Sequence, residues 1–225
     1  MKPNPVLDRA AHWIAGIGPL LFFAVATAEG FLRGGYDPIA EPISALALGP
    51  RGWIQELNFA LLAASFVSFA FVLRAQFRRG AASIAAPAVL LLMTVGVGLA
   101  ATFQPDATDA TPTLVGRLHV VGGSLVFPWM PVVLSIAAAR FRRDASWRPY
   151  FGYTLATALL SAATITFFLL FVGPQGFPRP LSEFAGLVQR VQIVPFFAWM
   201  AIVAHRAYVG APDATAVLAS NDAVV

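Results

Sequence analysis

The chain has 225 residues, of which 58% are hydrophobic and only 12% charged, with a mean hydropathy of +0.73. That is too little polar surface to cover a water-soluble globule, so the composition points to an integral membrane protein. The net charge is +4 and the pI near 10.1, but the basic residues lie in short clusters between apolar runs, where membrane topology accounts for them without nucleic acid.

Cysteine is absent, which excludes disulfides, thiolate catalysis and cysteine-ligated metals. The first residues, MKPNPVLDRAAHWIAG, lack a short apolar core followed by a small-residue cleavage site and read as retained. A hydrocarbon core about 30 Å thick needs about 20 apolar residues per helix. Six runs reach that length: Ala11 to Leu32, Ile54 to Phe77, Ala82 to Thr102, Leu114 to Ala139, Tyr150 to Val172 and Ser182 to Ala207. The expected fold is all-α, a polytopic membrane bundle of six transmembrane helices in one domain over residues 1–208. Residues 209–225 lack a sustained helical pattern and read as a mobile cytoplasmic tail.

Lys and Arg in short loops are retained in the cytoplasm. One side carries ten of them, in clusters such as Arg74 to Arg79 and Arg140 to Arg148, while the other carries five, Arg33, Arg51, Arg117, Arg179 and Arg190. Both termini are therefore expected to be cytoplasmic. Most acids fall on the opposite side, among them Glu29, Glu41, Glu56, Asp106 and Asp109, which suggests a site facing the outer leaflet.

The first outer loop, GGYDPIAEPISALALGPRGWIQE, is longer than a simple connection requires. Pro42 suits a first helical turn, Ile43, Leu46 and Ala47 share a face, and Gly49 with Pro50 stops the helix. The pattern predicts a short interfacial helix with Tyr36 and Trp53 at headgroup level. Ser44 lies on it as a potential nucleophile, though serine in a helix is more often a hydrogen-bonding group. Helix two opens with Gln55, Glu56 and Asn58, and Glu56 and Asn58 point to different faces. In helix three, Gly96 and Gly98 suit close helix contact.

Helix four begins with the densest polar stretch, TFQPDATDATPTLVGRLHVVGGSLVF. His119 lies about five residues in, on a face marked by Gly116 and Gly123, so it is expected to look inward with Asp106 near enough to orient it. Arg117, rotated away from it, can snorkel toward headgroups. Pro128 and Pro131 are expected to bend the helix. In helix six, Gln189 and Gln192 share a face, and Arg190 is expected about 12 Å below a start near Ser182, paired with Glu56, Asp106 or Glu29.

The segments YDPIAEPISALALG, FQPD and the histidine of GRLH resemble the bacterial and archaeal six-helix membrane family catalogued as domain of unknown function 998. The resemblance spans helix one to helix six and singles out Ser44, Asp106 and His119 as site positions. The family pattern usually has proline directly after the phenylalanine, whereas Gln104 intervenes here. No cofactor follows from it.

Other readings fare worse on the residues. His12, His119 and His205 are scattered, with no zinc-ligand spacing, so no metal is expected, and terminal histidines more often cap helices than ligate haem. The inner halves of the helices supply almost no polar groups for a channel, and no matched interrupted halves suggest a transporter. Two classes remain. In one, His119 and Asp106 act as an acid/base pair on a lipid or isoprenoid, with Ser44 as nucleophile in a hydrolase variant, and Arg190, Arg117, Glu56 and Gln189 bind the substrate. In the other, the chain binds a lipid, another hydrophobic small molecule or a partner without chemistry, and the polar cluster is structural.

Overall fold

The structure is a computed structural model that describes residues 5–77, 79–107, 110–174 and 179–210, with backbone alone for 5–8. Asp109 and tail residues 211–225 lie outside the described residues. The described residues form seven α-helices: α1 Pro5–Leu32, α2 Gly52–Gln76, α3 Ala82–Thr102, α4 Leu114–Ser124, α5 Met130–Arg143, α6 Phe151–Phe167 and α7 Ala185–Val209. No strand occurs among the described residues. Six segments are long and apolar enough to cross a membrane, α4 and α5 together making the fourth.

The fourth span is broken because Pro128 and Pro131 remove two backbone donors in succession. A 3₁₀ turn, Phe127–Trp129, fills the break. The fifth span ends in a π-helical turn, Phe168–Val172, closed by Gly173 at φ +76°.

The helices form a ring in which α1 packs on α2, α2 on α3, α3 on both α4 and α5, α5 on α6, α6 on α7, and α7 back on α1. Lipid tails are as apolar as leucine, so close van der Waals packing holds such a ring together. At the end bearing the termini the interior is filled by aromatic side chains. Phe69 meets Trp199 edge to face at 5.2 Å, and Phe141 stacks on Trp147 at 4.7 Å. Trp199 Nε1 donates to Thr154 Oγ1 at 3.0 Å, which satisfies the one polar atom of that ring. Lipid-facing positions such as Phe31 and Leu114 are apolar and exposed.

The loop between α1 and α2 forms a 3₁₀ turn, Ile43–Ala47, with Ile43, Leu46 and Ala47 buried as their spacing predicts. Its buried side chains plug the end of the bundle. Tyr36 is also buried, while Trp53 is exposed. Gly52 and Gly186 permit this fit, since a Cβ at either would collide with backbone of the loop, Ala47 at Gly52 and Pro38 and Glu41 at Gly186.

Candidate functional site

Beneath the first loop the packing opens into a cavity of about 210 Å³. Its walls come from the loop turn, α1 to α4, the break before α5, the end of α6 and the start of α7. Most lining side chains are apolar, including Phe22, Phe59, Val97, Phe127, Phe168 and Phe197. The polar lining includes Ser44, His119, Gln189 and Gln192.

His119 is placed by the end of α3. Phe103 is the C-terminal cap of that helix, and the last carbonyls of a helix lack an intrahelical donor. His119 Nδ1 donates to the Phe103 carbonyl at 2.8 Å, and the ring meets Phe59 edge to face. Because a carbonyl only accepts, Nδ1 carries the proton and Nε2 presents a lone pair. Nε2 has no hydrogen-bond partner among the described residues, and His119 lines the cavity. The close crossing of α3 and α4 comes from Gly96 and Gly122, where a Cβ on either would meet the other's carbonyl oxygen at 2.6 Å. Gly98 makes no such contact, and Gly123 lines the cavity instead.

Asp106 has a different task. Its Oδ1 accepts from the Thr113 hydroxyl at 2.7 Å and its Oδ2 from the Thr113 amide at 2.9 Å. Thr113 in turn caps α4, its hydroxyl accepting from the Gly116 amide at 3.0 Å. Gly116 has no side chain because the Asp106 carboxylate occupies that space. The hydroxyl bond from Thr113, then its amide bond, hold the Asp106 carboxyl below the usual carboxylate range. No hydrogen bond joins Asp106 to His119 among the described residues.

Arg190 departs from its expected pairing. With α7 starting at Ala185, it lies about 8 Å into the helix rather than 12 Å. It finds no carboxylate among the described residues. Its guanidinium donates to the carbonyls of Pro38 at 2.7 Å, Gly186 at 2.9 Å and Glu41 at 3.3 Å, and to the Tyr36 hydroxyl at 2.7 Å. The Tyr36 hydroxyl donates in turn to the carbonyls of Glu41 and Pro42, and burial first of all raises its pKa, which keeps its proton in place. Neighbouring Gln189 accepts from the Ile43 amide at 2.6 Å. Arg190 and Gln189 thus latch the loop turn to α7.

The remaining candidates lie outside the cavity. Glu29 pairs with Arg51, and Glu56 accepts from Gln104 Nε2 at 2.7 Å, which gives the inserted Gln104 a role. Arg117 is exposed, and its guanidinium makes no hydrogen bond among the described residues. Asn58 is buried and donates to the Phe22 carbonyl at 2.9 Å, so it and Glu56 do point apart.

One element escaped the reading of residues. Pro131 cannot donate to the Phe127 carbonyl one helical turn earlier, and Gln192 Nε2 supplies that donor at 3.3 Å while also reaching Ser161 Oγ at 2.9 Å. The signal was present in the proline spacing and in the helical face shared by Gln189 and Gln192. No group of three or more potential metal ligands occurs among the described residues.

No curated protein and no solved structure matches the chain. A family model described as "Protein of unknown function (DUF998)" matches residues 16–206, and with that match spanning most of its length the chain belongs to this family of membrane proteins.

Proposed function

We propose that the protein binds the apolar chain of a membrane amphiphile in the cavity beneath the first loop, entering from the side. The carrying observation is an apolar cavity whose histidine keeps one nitrogen unbonded. An engineered cavity of about 150 Å³ accepts benzene. At about 210 Å³ this one suits a short segment of chain, with the rest of the molecule in the bilayer. The side entrance lies between α4 and the end of α6, since α4 packs on α3 and leaves α6 to α5 and α7. Ser124 and Leu169 line the cavity and are exposed at that gap.

Binding without chemistry is the better supported class. An acid/base pair would need Asp106 directed at His119, and both carboxylate oxygens are engaged by Thr113. The site faces the outer leaflet of the cell membrane, with both termini cytoplasmic, by the distribution of Lys and Arg. The test is native mass spectrometry of the detergent-purified protein. Wild type retains an amphiphile that Gly123→Leu loses, because a side chain there meets only Phe127 at ordinary contact distance and extends into the cavity region. Equal retention by both counts against the reading.

A further inference from the structure

The polar groups around the cavity constrain the head of its ligand, an inference that rests on the binding function proposed above. We propose that the ligand is an uncharged hydroxylated amphiphile, such as a long-chain or isoprenoid alcohol, whose hydroxyl donates to Nε2 of His119.

The bond to the Phe103 carbonyl fixes the proton on Nδ1, so the nitrogen left for a ligand is an acceptor. A carboxylate or phosphate monoester presents oxygen lone pairs to it and is repelled. An alcohol presents a proton and matches. The cavity also lacks a counter-charge: no Lys, Arg, Asp or Glu lines it among the described residues. Burying an anion with no paired cation is costly, far more so than burying a hydroxyl that gains a hydrogen bond.

The nearby cation is committed elsewhere. Arg190 follows Gln189 on α7, but its guanidinium is already spread over three carbonyls and the Tyr36 hydroxyl. Recruiting it to an anionic head would strip the loop of these bonds. Arg117 is exposed and does not line the cavity. An alcohol oxygen also accepts, and donors for it are at hand. Ser44 has a hydroxyl, and Gln189 keeps its amide nitrogen while its oxygen holds the Ile43 amide. A hydrocarbon without a head would leave Nε2 unpaired, so the alcohol is favoured over the alkane as well.

The experiment uses the full-length protein in phosphatidylcholine nanodiscs and displacement of a fluorescent alkyl probe by decane, 1-decanol, decanoate and decyl phosphate. Decanol is expected to displace the probe at about tenfold lower concentration than decanoate or decane, the worth of one well-formed neutral hydrogen bond. In His119→Phe the advantage of decanol over decane disappears. A second readout needs no variant: in ¹⁵N-histidine-labelled wild type, the Nε2 resonance of His119 moves on addition of decanol and stays on addition of decane. Decanoate or decyl phosphate matching decanol overturns the inference and leaves the binding function standing. So does an unmoved Nε2 resonance with decanol bound, or a decanol advantage that survives in His119→Phe. Failure of every alkyl compound to displace the probe overturns both.

Discussion

Arg190 and His119 lie under the same loop, yet their surroundings are opposite in kind. Among the described residues the Arg190 guanidinium donates only to the loop, to its own helix and to Tyr36. His119 uses one nitrogen to hold α4 against the end of α3 and turns the other to a cavity. A charge in or near a membrane draws attention to itself as a functional site. Here the charged residue is the fastening, and it is to the neutral one with a spare lone pair that we assign recognition in the proposal above.

The comparison breaks most visibly at Arg190. Arg190→Met leaves the Pro38 carbonyl and the Tyr36 hydroxyl oxygen without their donor and the Glu41 carbonyl with Tyr36 alone, and stability in detergent is expected to fall by about 3 kcal/mol, read from chemical unfolding. A loss near zero would mean that the loop is not held from α7. Tyr36→Phe removes one arm of the same latch and is expected to cost about 1 kcal/mol. A loss of similar size to that of Tyr36→Phe is expected at the start of α4. Thr113→Ala removes the cap and costs about 1 kcal/mol.

The Asp106 brace adds a pH dependence of defined sign. Its folded pKa lies below its ordinary value, so its contribution is fully present above that ordinary value, about 3.9, and is lost as pH falls through the folded pKa. Asp106→Asn should therefore lower the Tm near pH 7, with a difference from wild type that narrows only in strong acid. A difference that vanishes already at pH 5 contradicts the assignment. His119→Phe is expected to cost about 1 kcal/mol or less, from the Phe103 carbonyl left to other donors, while removing preference for a hydroxylated ligand.

Sidedness has its own test. The chain contains no cysteine, so single cysteines at exposed Gly34 and Ala145 report on one end each. An impermeant reagent is expected to label intact cells at position 34 alone. Labelling at 145 alone reverses the orientation and moves the cavity to the inner leaflet.

The spans and the loop turn were legible because each follows a local rule. Apolar length sets the spans, and Ile43, Leu46 and Ala47 recur at helical spacing between Pro42 and Gly49. Pro128 and Pro131 announced the break in the fourth span. The partner of Arg190 was not legible, since charge bookkeeping looks for a carboxylate and the residue is satisfied by backbone carbonyls of an irregular loop, which have no signature in residue identity. The bond of Tyr36 to that arginine was not legible for the same reason. His119 was expected to look inward and does, whereas the role of Asp106 at Thr113 depends on how the loop before α4 folds back, which spacing alone does not give.

The central claim is that the cavity beneath the loop takes an alkyl chain, and bromine locates such a chain directly. In crystals of the protein grown with 6-bromo-1-hexanol, short enough for its hydroxyl and its bromine to lie in the cavity together, the anomalous signal is expected inside the cavity, among Phe59, Phe127 and Phe168. Bromine found only on the lipid-facing surface of the bundle, with the cavity devoid of signal, would contradict the account.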